Sequence, residues 1–240
     1  MTHLVAGYPT FKDSLTLARV LARHASFLEI QIPFSEPVAD GPTIVEACHT
    51  SLQNGFKVDQ IFKFCKTISR QSVPILVMSY ANPIYKMGIQ TFCRKIKAAG
   101  VEGLIVPDLP FDSEEGKALR RHARENGLSL IQVVSPSMGA GRLETAIKIS
   151  DSMIYCTTKR GTTGGRVLMS EDLIKVVRQI RKLSHLSIAL GFGISSKRDV
   201  ARITKLADVV VIGSAIIREF KSASPSIRLK KVSRFLEQLK

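Results

Sequence analysis

Short apolar runs alternate with longer stretches whose apolar residues recur at three- and four-residue spacing, and the alternation continues along the whole chain. The short runs predict eight strands: His3 to Ala6, Phe27 to Ile32, Pro74 to Ser79, Gly103 to Val106, Ser129 to Val133, Met153 to Thr157, Ser187 to Leu190 and Val209 to Ile212. The spacing predicts one-faced helices through Val58, Ile61, Phe62 and Cys65, through Ile89, Phe92, Cys93 and Ile96, through Leu173, Val176, Val177 and Ile180, and through Val232, Phe235, Leu236 and Leu239. Asn54-Gly55 breaks the chain before the first of these helices, while Gly100 and Gly127 end helices that lead into strands. Strands that alternate with helices imply a parallel sheet with crossover helices. Eight such strands close a (β/α)8 TIM barrel, with every loop that follows a strand on one face. No low-complexity segment or linker divides the sequence, so residues 1–240 are expected to form a single barrel domain.

Composition narrows the function. The 240 residues are 45% hydrophobic, and no run approaches the roughly 18 consecutive apolar residues of a membrane span. The start, MTHLVAGYP, lacks the basic and long apolar regions of a secretory signal, so a cytoplasmic protein is expected. Cys48, Cys65, Cys93 and Cys156 have neither CxxC spacing nor histidines at metal-ligand intervals, so neither a disulfide framework nor a metal site is expected. The net charge of +15 raises the question of nucleic acid. The basic residues are spread over many helix faces without interleaved aromatics or a recognition motif, and they read as a solvated surface that attracts a phosphorylated substrate or an acidic partner.

Candidate chemistry concentrates in Phe27 to Thr43, FLEIQIPFSEPVADGPT. Strand alternation puts Glu29 and Gln31 on one face and Leu28, Ile30 and Ile32 on the other. Pro33 and Pro37 stop the strand, and Asp40-Gly41-Pro42 turns the chain into a new segment. Two carboxylates, Glu29 and Asp40, thus stand near the carboxyl end of one strand; on residue type alone the reading of an edge-strand and a turn residue outweighs a catalytic one. Tyr80 and Tyr155 sit at strand ends and serve either packing or a pocket. The Gly193 and Gly213-Ser214 turns after the last two strands, with a helix starting at Ser214, offer backbone donors to an anion, where barrels of this kind hold phosphate.

The string PFSEPVADGPT from Pro33 to Thr43, preceded by Glu29, resembles the signature of tryptophan synthase alpha subunits. Tyr80-Ala81-Asn82-Pro83, Pro107-Asp108-Leu109-Pro110, the KRGTTGGR loop, Gly191-Phe192-Gly193 and Gly213-Ser214 resemble the family's remaining motifs in order. The resemblance implies retro-aldol cleavage of indole-3-glycerol phosphate to indole and glyceraldehyde 3-phosphate. It assigns Glu29 as the acid-base, Asp40 as support for the indole nitrogen, and Met78, Ile105 and Phe192 as pocket residues, with Tyr80 and Tyr155 as candidates for the same pocket. Thr163 is matched to a residue that closes onto Asp40, and Gly164, Gly193, Gly213 and Ser214 to the phosphate site. It further implies no cofactor in this chain, a pyridoxal-phosphate beta subunit as partner in an alpha2-beta2 assembly, with Ser35 to Asp40 and the segment around Lys86 at the interface, and neither a nucleic-acid nor a membrane partner. Gln31 stands where the family usually has glycine, Glu36 where it has aspartate and Lys159 where it has arginine, and the helix that usually precedes the first strand is lacking. Gln31 is expected to crowd the ring or to bond Glu29, holding activity below the family's usual level. The alternatives are a weakly active or inactive regulatory subunit supporting the beta chain, or another phosphate-binding barrel such as an isomerase or an indole-glycerol-phosphate synthase.

Overall fold

The computed structural model describes residues 1–157, 170–191 and 193–240. Its strands are β1 (Thr2–Val5), β2 (Leu28–Gln31), β3 (Ile75–Met78), β4 (Gly103–Ile105), β5 (Ser129–Val134), β6 (Met153–Thr157), β7 (Ser187–Gly191) and β8 (Val209–Val211). They pair in sequence order, all parallel, and Thr2 bridges Ile212 to join the first strand to the last. The expected (β/α)8 barrel is the observed one, with each predicted strand present and no end moved by more than one residue.

The described helices are α1 (Phe11–Ala22), α2 (Pro42–Gln53), α3 (Gln60–Ile68), α4 (Ala81–Met87), α5 (Ile89–Ala98), α6 (Glu114–Glu125), α7 (Ala140–Ile149), α8 (Glu171–Leu183), α9 (Lys197–Ile203), α10 (Ser214–Lys221) and α11 (Arg228–Gln238). Their apolar faces cover the outside of the barrel: Ile61, Phe64, Cys65 and Ile68 of α3 are fully buried, as are Phe92, Cys93 and Ile96 of α5. Capping follows the sequence. Thr10, Ser113, Ser170 and Ser196 each accept the N–H three residues on, opening α1, α6, α8 and α9. One expected loop is a helix: Tyr80 caps α4, and Pro83 fits its first turn because the N–H groups there have no intrahelical partner.

Strand alternation divides the core in two. Leu28, Ile30 and Ile32 face the helices, and a second cluster of Leu76, Met78, Ile105, Ile131, Met153, Ala189 and Val211 fills the barrel. In register, Glu29 lies between His3 of β1 and Leu76 of β3, and Gln31 lies between Val5 and Met78. Neighbouring parallel strands run about 4.8 Å apart with paired residues facing the same way. The register therefore places His3 beside Glu29 inside the barrel.

Candidate active site

A cavity of about 440 Å³ opens at the carboxyl ends of the strands. His3, Glu29, Met78, Ile105, Tyr155 and Val211 reach it from inside the barrel, and Asp40, Gly193, Gly213 and Ser214 reach it from the loops above. Glu29 is 3% exposed. Its Oε1 lies 3.3 Å from Nδ1 of His3, while its Oε2 has no hydrogen-bond partner among the described residues. A buried carboxylate oxygen without a partner is costly, and here it belongs to a residue that lines a cavity.

Asp40 is anchored differently. Oδ2 accepts the hydroxyl of Tyr80 at 2.8 Å and the amide of Gln31 at 2.7 Å. Burial raises the Asp40 pKa; His3, Tyr80 and Gln31 push back without cancelling the rise. The Tyr80 hydroxyl also accepts the Ala39 N–H at 3.1 Å, and the Tyr80 ring stacks on Phe34 at 5.3 Å between centroids. Tyr80 is thus fully buried behind Asp40 and does not line the cavity, so of its two sequence alternatives the structure shows packing and not the pocket wall. The physical reason is its position as the cap of α4, which turns the ring toward the loop after β2.

Gln31 also differs from expectation. It shares a face with Glu29, but its amide bonds Asp40 and approaches the Cys48 sulfur at 3.5 Å, and it does not line the cavity. The loop following β2 folds Asp40 back over the end of the strand, within reach of the amide. Cys48 itself is buried, with its thiol pushed up to about 12 by desolvation.

Met78 and Ile105 provide apolar wall, and Tyr155 stands half-buried beside them. Burial, and then the negative charge of Glu29 and Asp40, raise the Tyr155 pKa. Gly213 precedes α10 and gives it no side-chain cap, so the first-turn N–H groups of α10 lack a side-chain acceptor from that position. Gly193 holds a left-handed φ of 72°, which favours glycine. Lys159, Thr163, Gly164 and Phe192 lie outside the described residues. Asp108, in the loop after β4, accepts the Ala81 N–H with both oxygens at 3.0 and 3.2 Å and caps α4 instead of entering the cavity.

Cavity-lining residues that were not assigned to the site from sequence include His3 and three residues after β5. His3 was visible as a polar residue on a buried strand, but its neighbour depends on register. Ser135, Ser137 and Met138, after β5, line the cavity although no motif marks them.

A closed parallel barrel whose strand ends carry a buried carboxylate, with glycine turns after its last two strands, defines an enzyme of the TIM-barrel class that works at the carboxyl face. The family model described as tryptophan synthase alpha chain matches residues 1–240, and the chain belongs to that family. It is 38% identical over 237 residues to the tryptophan synthase alpha chain of Helicobacter hepaticus, covering 95% of this chain and 88% of that one. It is 40% identical over 219 residues to the alpha chain of Leptospira biflexa, covering 90% and 82%. Among solved structures, tryptophan synthase from Mycobacterium tuberculosis matches with a TM-score of 0.90 at 29% identity, covering 99% of this chain and 89% of that one. A mutant tryptophan synthase alpha-subunit from Pyrococcus furiosus matches with a TM-score of 0.89 at 31% identity, covering 99% and 96%.

Proposed function

We propose that this chain cleaves indole-3-glycerol phosphate to indole and glyceraldehyde 3-phosphate, with Glu29 as acid-base. The observation that carries the reading is the unpartnered Oε2 of a buried glutamate lining the cavity of a barrel in this family. Lysis of the bond between the ring and its side chain requires a proton at the ring carbon and removal of the side-chain hydroxyl proton. One carboxyl that gives and then regains a proton serves both steps. Asp40, held from behind by Tyr80 and Gln31, accepts the ring N–H and stabilises the charge that develops there. Met78, Ile105 and Tyr155 wall the ring, and the family resemblance gives Phe192, outside the described residues, to the same wall and Thr163, also outside them, to closure onto Asp40. The phosphate rests on the backbone at Gly164, Gly193, Gly213 and Ser214, where the start of α10 supplies donors and a positive dipole end.

The chain needs no cofactor of its own in this reading. Its partner is a beta subunit carrying pyridoxal phosphate, in a cytoplasmic alpha2-beta2 assembly, and residues 1–240 act as one domain. The interface comprises Ser35 to Asp40, where Val38 is 68% exposed, and the segment around Lys86. Among the described residues no helix is long and apolar enough to cross a membrane.

Glu29→Gln preserves shape and removes the acid-base, so indole release is expected to fall by about 100-fold or more with the thermal melt retained. Turnover near that of the parent would sink the assignment. A parent chain that releases no indole but accelerates the beta subunit would transfer the proposal to the regulatory alternative.

A further inference from the structure

His3 and Glu29 are register partners on β1 and β2, both side chains are nearly fully buried, and the facing atoms Nδ1 and Oε1 lie 3.3 Å apart. Each partner keeps one buried atom without a hydrogen-bond partner among the described residues, Nε2 on His3 and Oε2 on Glu29. One side of the ring is backed as well: a Cβ built on Gly213 would approach the His3 ring within 3.2 to 3.3 Å, so the imidazole packs against the turn between β8 and α10. A glutamate has three side-chain torsions, and contact of one oxygen with a packed ring restricts where the other can point. We propose that His3 is a positioning residue for Glu29: the Nδ1–H of the neutral ring holds Oε1, and the imidazole, as the alternative site for the carboxyl's proton, keeps one proton on the pair, so that Oε2 alone delivers and recovers the proton of the lysis. The inference rests on the assignment of Glu29 as acid-base.

The proton count closes. With one proton on the pair beyond the Nδ1–H of the neutral ring, the reacting form carries that proton on Oε2, and Glu29 gives it to the ring carbon. The side-chain hydroxyl then returns a proton to Oε2 as the carbon-carbon bond breaks and its electrons pass to the ring, leaving the pair as it began. With no proton on the pair the first step has no donor, and with two the carboxyl cannot act as base, so activity follows the singly protonated pair. The titratable groups that act on the imidazole are Glu29 on β2 and Asp40 in the following loop, with Gln31 adding a neutral amide, while the charge of Glu29 also acts on Tyr155 and on the Met1 amino group just before β1. Burial opposes a charge on the ring, but Glu29, followed by Asp40 and Gln31, outweighs burial and raises the His3 pKa above its ordinary value. The Met1 amino group, which donates to the Val210 carbonyl, is lowered to about 6 by burial against the pull of Glu29. A readout specific to the imidazole is therefore required.

The test uses the full-length chain. Nitrogen NMR of the His3 imidazole, followed against pH, is expected to show a raised midpoint that moves to lower pH in Glu29→Gln. An identical midpoint in both proteins would overturn the pairing, and this arm needs no turnover. In the second arm, His3→Gln keeps a donor for Oε1 but cannot hold the proton, so the alkaline limb of indole release is expected to shift to lower pH. His3→Phe, which lacks both, is expected to lose about tenfold or more in kcat with KM within about twofold. An unmoved alkaline limb in His3→Gln would show packing alone and overturn the proposal. If either variant fails to fold, the imidazole titration decides. Full activity in Glu29→Gln would instead defeat the lyase assignment, a result distinct from any change in the His3 midpoint.

Discussion

Gln31 and Glu29 stand two residues apart on one face of β2, yet they serve different acids: His3 faces Glu29, and the Gln31 amide points at Asp40. An amide bonded to a carboxylate favours its charged form, and Gln31 acts with His3 and Tyr80 against the burial that raises the Asp40 pKa. Gln31→Gly removes this donor and leaves a void in a fully buried place. Hydrogen bonds to charged groups contribute roughly 1.5 to 3 kcal/mol, so the variant is expected to melt earlier and to cleave several-fold more slowly. A faster enzyme would instead support the steric restraint anticipated from sequence. The two carboxylates were legible because proline, glycine and alternation bracket them in one stretch. The supports were not: whether a polar side chain on a buried face bonds one acid or another depends on register between strands and on the path of a loop, and neither is written in local spacing.

At the scale of elements, periodicity carried most of the outcome. The stripes at Ile89 to Ile96 and Leu173 to Ile180 are the buried faces of α5 and α8, and the apolar runs are strands because both their faces are covered. The helix α4 was hidden because Tyr80-Ala81-Asn82-Pro83 reads as a turn, and its start depends on Asp108, far away in sequence. A repeated clamp was equally invisible. Asp151, just before β6, accepts the Leu130 N–H of β5 at 3.0 Å and pairs with Arg124 of α6 at 2.8 Å. Asp208, just before β8, accepts the Ile188 N–H of β7 at 2.8 Å and pairs with Arg181 of α8 at 2.6 Å. Each aspartate ties a strand to its neighbour and to the helix before it, at the barrel end opposite the cavity. Partial burial acts to raise the Asp208 pKa, but the Ile188 N–H and Arg181 prevail and lower it below 3.8. The clamp thus stabilises the fold above the unfolded carboxyl's pKa, and that contribution is lost as pH falls through the lower, folded value. Asp208→Asn is expected to melt earlier at neutral pH and to lose less between pH 5 and 3 than the parent, roughly the span set by an aspartate's ordinary pKa. Parallel melting curves against pH for the two proteins would rule the clamp out as a source of acid sensitivity.

On the scale of the whole molecule, the net charge of +15 is distributed around a barrel that closes between its two terminal strands. The His3 N–H bonds the Ile212 carbonyl at 2.9 Å and the Ile212 N–H bonds the Met1 carbonyl at 3.0 Å, so the seam lies beside His3 and Gly213. A chain cut after Ala207 keeps Glu29, Asp40 and β1 through β7 but loses β8, α10 and α11. It is expected to release no measurable indole and to unfold without a sharp transition, and substantial turnover by the truncated chain would contradict the dependence of the site on closure. The seam also sets the end of the last strand to leave the ribosome beside an imidazole carried by the first. With Glu29 as the proposed acid-base, turnover is expected to report completion of the circle: a barrel without β8 still has the register partners of β1 to β7 but lacks the strand whose end packs beside His3. Damage to β8 or α10 is therefore expressed in turnover before it is visible as lost secondary structure, which makes the enzyme a gauge of its own assembly.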